Sequence, residues 1–136
     1  MWLYNGKEVG EEDTKGYVAF VYIITNLSNG KQYIGKKLLT KTRSKAIKGK
    51  TRKKKIVTES DWRDYFGSND TLKRDVIELG ATSFKREILD FCKSRGTANY
   101  LEAKYQFQYN VLESENFYND QIRLRVHRSH LKLDNK

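Results

Sequence analysis

"VYIITNLSNGKQYIGKK", Val21 to Lys37, decides how the rest of the chain is read. From Tyr17 to Thr25 the residues are mostly β-branched or aromatic, which reads as a strand. "NLSN" supplies turn residues, and "GKQYIG" reads as a second, shorter strand. With the loop at residues 26–29, Thr25 faces Gly30 and Tyr22 faces Tyr33 directly. Cross-strand neighbours have Cβ atoms about 5 Å apart, so the two phenols would share one face. A one-residue slip would send them to opposite faces.

The lysines that close this stretch begin a longer basic run. From Lys36 to Lys55 every charged residue is Lys or Arg, and the 136-residue chain carries a formal charge of +10. Such a surface attracts polyanions, nucleic acid first among them. A solvated lysine face is the plainer alternative. The density of donors nevertheless suits a phosphate backbone, and neutralising several phosphates makes binding steeply salt-dependent. The length fits one domain. Nine tyrosines and six phenylalanines offset a hydrophobic content of 38%, so an ordered fold is expected. The single cysteine, Cys92, excludes an internal disulfide, and two histidines give no zinc-finger spacing. Glu8, Glu11, Glu12 and Asp13 are unlike a targeting peptide, and the apolar run at Val18–Ile24 is too short to span a bilayer. A soluble, cytoplasmic protein is expected.

Around the central stretch the chain reads as an α/β (α+β) fold, a small three-stranded antiparallel sheet flanked by helices. "WLYNGKEV" places Asn5-Gly6 as a tight turn. Leu38–Lys48 reads as a short basic helix and residues 49–58 as a mobile loop. A helix is expected over 70–79, capped by Asp70 and stopped by Gly80. "SFKREILDFC" reads as the third strand, and a longer helix is expected from Thr97 to Leu112. The arm "FYNDQIRLRVHRSH" alternates, with Ile122, Leu124 and Val126 on one side and Arg123, Arg125 and His127 on the other. This divides the chain into an N-terminal hairpin extension (1–16), a body (17–120) with a basic insertion at about 44–58, and a basic arm (121–136).

In the last helix, Ala98, Tyr105, Tyr109 and Leu112 fall on one face, and Glu102 sits among them. A carboxylate on an apolar stripe needs a cation, a donor or a metal ion, because burying it unpaired is costly. The plainer alternative is that Glu102 lies at the edge of the stripe and pairs with a lysine.

Taken in order, these residues resemble the signature of the GIY-YIG nucleases. Tyr33-Ile34-Gly35 matches the second half, and Phe20-Val21-Tyr22 keeps the tyrosine of the first. "DWRDYFGSNDTLKRDVIELGATSFKREIL" is similar to the phage and homing-endonuclease-like branch, with its small stand-alone members. The resemblance implies a DNA endonuclease that leaves a 5′-phosphate and a 3′-hydroxyl, working in the host cytoplasm if phage-encoded. It implies catalytic roles for Tyr22, Tyr33, Arg43, Glu102 and Asn119, with Asn110 the other candidate for the asparagine. Glu102 would hold one divalent ion, magnesium or else manganese, to polarise the phosphate. Arg43 would grip the phosphate oxygens bidentately. Lys36, Lys37 and Arg43 would lower the pKa of the phenols, one of which would act as base. Lys36, Lys37, Arg52, Lys53, Lys54, Lys55, Arg123, Arg125 and His127 would contact double-stranded DNA. Trp62, Tyr65 and Phe66 read as packing residues, with base stacking as the alternative. One departure stands out: Ile47 occupies a place where many members carry histidine or tyrosine. A non-catalytic DNA- or RNA-binding protein on the same fold is the competing reading.

Overall fold

The computed structural model describes residues 1–46, 48–49 and 53–133. Ile47, Arg52 and the arm from residue 134 onward lie outside the described residues. Asn5 and Gly6 take positive φ, 51° and 81°, as a two-residue hairpin turn requires. They join β1 (Trp2–Tyr4) to β2 (Lys7–Glu8), and a single helical turn, α1 (Glu11–Thr14), follows. β3 (Ala19–Asn26) and β4 (Gln32–Leu38) form the central hairpin. β5 (Thr40–Ala46) and β6 (Lys53–Glu59) form a separate two-stranded ribbon. A 3-10 turn at Trp62–Asp64 leads to α2 (Asp70–Leu79), then β7 (Phe84–Cys92) and α3 (Arg95–Gln108).

The sheet is larger than three strands. It is mixed and five-stranded, in the order β2-β1-β7-β3-β4. The expected antiparallel trio is there as β7-β3-β4, but β1 adds to β7 in parallel, Trp2 opposite Arg86. Burial drives this addition. Trp2 is 3% exposed, packs edge-on against Phe20 and Tyr22, and donates Nε1–H to the Trp62 carbonyl at 2.7 Å.

The central hairpin is also two residues out of the expected register. Tyr22 pairs with Gly35 and Ile24 with Tyr33. The turn chemistry explains the shift. Asn26 Oδ1 accepts from the Ser28 N–H at 3.0 Å and from its hydroxyl at 2.6 Å, and Gly30 takes φ 78° within the loop. A slip of two keeps the face, so Tyr22 and Tyr33 still share one side, ring centroids 6.2 Å apart.

The basic helix expected at 38–48 is a strand, and the expected mobile loop contains its partner. β5 runs antiparallel to β6 from Thr40↔Glu59 to Ala46↔Lys53. Thr40, Thr42, Ile56, Val57 and Thr58 are β-branched and favour a pleated surface over a helix. The ribbon's base is pinned where Ser60 N–H donates to the Leu39 carbonyl at 2.9 Å and Ser60 Oγ to the Leu38 carbonyl at 2.5 Å.

α2 spans the expected residues, yet its cap is Asn69 rather than Asp70. Asn69 Oδ1 accepts from Leu72 N–H at 3.0 Å, while its amide donates to the Tyr118 carbonyl at 2.9 Å. α3 starts earlier than expected, capped by Ser94, and stops at Gln108, before Asn110 at φ 53°. Leu112 therefore falls off the helix and is 51% exposed. The arm from Gln121 to His127 pairs with no strand among the described residues.

α3 covers one face of the sheet, against Val21, Ile23 and Ile34. The other face carries Phe20, Tyr22, Ile24 and Ile88 beneath Trp62, Leu72 and Tyr118. Arg86, buried to 6% exposure, clips the irregular Trp62–Phe66 segment onto this face. It donates to the Arg63 and Tyr65 carbonyls at 3.0 and 2.8 Å and lies over the Trp2 and Phe66 rings. Arg86→Leu keeps the apolar stem but orphans both carbonyls. Hydrogen bonds from a charged donor contribute about 1.5–3 kcal/mol each, so a loss of about 3 kcal/mol is expected in urea unfolding. A loss below about 1 kcal/mol would mean that the aromatic rings alone hold the segment.

Candidate active site

β4 is an edge strand, so the outward N–H and C=O of Ile34 have no partner within the sheet. The chain after α3 supplies one. Tyr118 N–H donates to the Gln32 carbonyl at 2.8 Å, and Gln32 N–H donates to the Asn116 carbonyl at 2.9 Å. One step further the backbone gives way to a side chain. Asn119 Oδ1 accepts from Ile34 N–H at 3.0 Å, and its amide donates to the Ile34 carbonyl at 2.8 Å. Gln106 Nε2 on α3 adds a second donor to that carbonyl at 3.0 Å. The middle of Tyr33-Ile34-Gly35 is thereby held from two directions.

Beside this bracket opens a polar cleft of about 770 Å³, lined by β4, the start of α2, one face of α3 and residues 119–125. Asn99, Glu102 and Gln106 line it from α3, at the spacing that shares a helix face. Tyr33 and Lys36 line it from β4, and Arg123 and Arg125 from the arm. The structure therefore brings Tyr33, Lys36, Glu102, Asn119, Arg123 and Arg125 together. Asn110 lies in the exposed turn after α3, outside the cleft.

Tyr22 lies behind the cleft wall, 1% exposed. Gly35 makes room for it: a Cβ there would overlap the phenol oxygen and come within 2.7 Å of Cζ. The expectation that cations lower the phenol pKa values is overturned. Burial pushes Tyr22 well up, and the neighbouring Tyr65 and Tyr33 add to the shift. Burial also raises Tyr33, against the lowering effect of its hydrogen bond with Ser68, 3.0 Å away. Lys37 faces elsewhere, pairing with Asp61 at 2.5 Å and lying over the Tyr65 ring.

Arg43 is exposed on β5, opposite Ile56, and does not line the cleft. Lys53, Lys54 and Lys55 lie on β6. His127 is exposed, and its Nδ1 accepts from Ser129 N–H at 3.1 Å, capping the 3-10 turn at Arg128–His130. Trp62, Tyr65 and Phe66 pack in or against the core. Gln106 and Arg86 went unnoticed in the sequence. Gln106 stands one helical turn after Glu102, but no pattern reveals that its target is a backbone carbonyl seventy-two residues away.

Glu102 is half-buried. Burial raises its pKa, opposed by the Lys36 charge and by a hydrogen bond from the Lys36 backbone. Among the described residues no three or more His, Cys, Asp and Glu side chains cluster as a metal site. Glu102, half-buried in a cleft that the exposed Asp70 and Asp120 also line, fits a hard divalent ion that keeps waters and takes phosphate oxygens as its other ligands.

A cleft of this make-up on an edge strand suits phosphodiester chemistry, and a comparison of the whole chain specifies the class. The chain belongs to the GIY-YIG endonuclease family: residues 2–122 match the family model described as "Putative endonuclease segE, GIY-YIG domain". No curated protein and no solved structure matches the chain. Membership makes it an endonuclease, a hydrolase of phosphodiester bonds whose substrate is nucleic acid. Such nucleases generally depend on a divalent metal. Among the described residues no helix is long and apolar enough to cross a membrane.

The raised pKa of Glu102 has a testable consequence. The folded chain holds that proton more tightly than the unfolded chain, so stability from the neutral form is full at low pH and is lost as pH rises through the folded pKa. Glu102→Gln escapes that loss. Its urea midpoint, relative to the wild type, is expected to be higher at about pH 7 than at about pH 4. An equal difference at both pH values would mean that Lys36 compensates the carboxylate fully.

Proposed function

We propose that the protein is a magnesium-dependent, stand-alone endonuclease of the homing-endonuclease-like kind, acting on double-stranded DNA. The observation that carries this reading is Glu102, half-buried in a polar cleft beside Tyr33 and Lys36. Water adds to phosphorus, the bond to the 3′ oxygen breaks, and the products are a 5′-phosphate and a 3′-hydroxyl. Both phenols stay protonated at neutral pH, since both are raised, so neither serves as a phenolate base. Tyr33, steadied by Ser68, orients the attacking water by accepting its proton in a hydrogen bond or holds a phosphate oxygen by donating. Glu102 would hold the divalent ion, magnesium or manganese, which polarises the phosphate and stabilises the leaving oxygen. Lys36 adds positive charge at the cleft, and Tyr22 supports the Tyr33 strand from behind. Asn119 acts as a positioning residue through Ile34.

The ribbon extends the contact. Arg43, Lys53, Lys54 and Lys55 lie on it, and a two-stranded ribbon is of a width that a DNA groove admits. A cytoplasmic location agrees with a single, buried cysteine.

Purified protein and supercoiled plasmid, with magnesium or with EDTA, test the reaction. Magnesium-dependent nicking or linearisation is expected, with Glu102→Ala at least about 100-fold slower and its DNA binding in EDTA within about threefold of wild type. Full activity in the variant would remove the metal role. In a separate binding series, Lys53, Lys54 and Lys55 changed together to Gln should weaken affinity and flatten the salt dependence by about two to three units of slope. An unchanged slope would return β6 to a solvated surface.

A further inference from the structure

The C-terminal arm is tied down on both sides of the cleft. On one side, Asn119 is locked to Ile34 and Ile122 packs against the cluster beneath α3. On the other, Ser94 Oγ donates to the His130 carbonyl at 2.8 Å, and Lys132 N–H donates to Thr97 Oγ1 at 2.6 Å. Gly96 permits that second anchorage, since a Cβ there would overlap His130 Cβ and come within 2.8 Å of its carbonyl oxygen. A chain fixed at both ends spans the cleft as a strap, and Arg123 and Arg125 line the cleft from it. Leu124 between them lines it as well, so this stretch of the strap as a whole faces the cleft. Arg123 spends one donor, Nε–H, on Gln121 at 3.3 Å. Among the described residues neither arginine has a carboxylate partner. Arg43, exposed on the ribbon, does not line the cleft.

We propose that Arg123 and Arg125 on this anchored strap, rather than Arg43, supply the guanidinium clamp on the non-bridging oxygens of the scissile phosphate. The proposal rests on the nuclease reading above and adds to it the source of charge neutralisation at phosphorus. Two planar forks suit those oxygens, and lysine reproduces their charge without their bidentate geometry.

The test is single-turnover plasmid cleavage at saturating protein, alongside DNA binding in EDTA, for the wild type, the Arg123→Lys/Arg125→Lys double variant, Arg43→Lys and Gly96→Ala. The double variant keeps the net charge. Its saturated rate should fall by about 100-fold or more while its affinity stays within about tenfold. Gly96→Ala alters no cleft residue and puts a better helix former into α3. By unseating His130 it should speed tryptic cutting within the arm and lower the saturated rate in parallel. The proposal fails if the double variant cuts at the wild-type saturated rate with only affinity reduced, or if Arg43→Lys alone carries the rate loss. It also fails if Gly96→Ala frees the arm for trypsin without slowing cleavage. A wild type that never cuts would sink the nuclease reading and this proposal together, whereas a cutting wild type beside an equally fast double variant sinks this proposal alone.

Discussion

The pairing of Asn119 with Ile34 is the contact on which the site depends. An edge strand presents outward peptide groups that must find water, another chain or a substitute partner. Here the substitute is a side-chain amide, whose donor and acceptor match one residue's C=O and N–H. Gln106 reinforces it from α3, so the same helix that carries Glu102 also fixes the strand that carries Tyr33. The spacing of the carboxylate from the phenol is thus set by buried hydrogen bonds between three chain segments. Truncating Asn119 would leave the Ile34 N–H unpaired, a cost of about 1–3 kcal/mol, and Gln106 as the carbonyl's remaining donor, and would loosen Tyr33 relative to Glu102.

The two tyrosines of the hairpin share a face but not a job. Tyr22 is enclosed by aromatic rings, and its hydroxyl fills the space left by the missing side chain of Gly35. Burial makes its anion costly, which removes it as a base and leaves it as a rigid backing for β4. Tyr33, half-buried at the cleft with Ser68 on its hydroxyl, is the phenol that can meet a substrate. Burial outweighs the nearby cations here because Lys37 is occupied by Asp61 and Tyr65, and Arg43 is carried away on the ribbon. Composition shows how many cations are near in sequence, not which way the strand turns them.

Much of the frame was legible because local rules decided it. The β-branched run, the Asn-Gly turn, the Gly80 stop and the placing of Glu102 on an inward face follow from periodicity and turn chemistry. The hairpin register slipped by two because Asn26 bonds forward to Ser28, a side-chain choice that competes with strand pairing. The ribbon was missed because Leu38–Lys48 satisfies a helical pattern as well as an alternating one. What settles it is β6, whose partnership with β5 depends on pinning at Ser60, a contact between residues far apart in sequence. Arg86 and Gln106 were missed for the same kind of reason, since both act on backbone carbonyls that no local pattern identifies.

The placement of positive charge separates grip from chemistry. The ribbon leaves the sheet at Leu39 and returns at Ser60, and every charged residue on its strands is basic until Glu59. Its position outside the cleft suits it to hold backbone on either side of the cut. The strap does the opposite, bringing two arginines to the cleft that Glu102 lines and ending in bonds to the first turn of α3. On the proposal above, arginines carried on an anchored backbone need less reorganisation when charge builds on phosphorus than side chains on a free tail would. Glu102 tolerates its burial in that cleft through Lys36, whose charge and backbone N–H both favour the carboxylate.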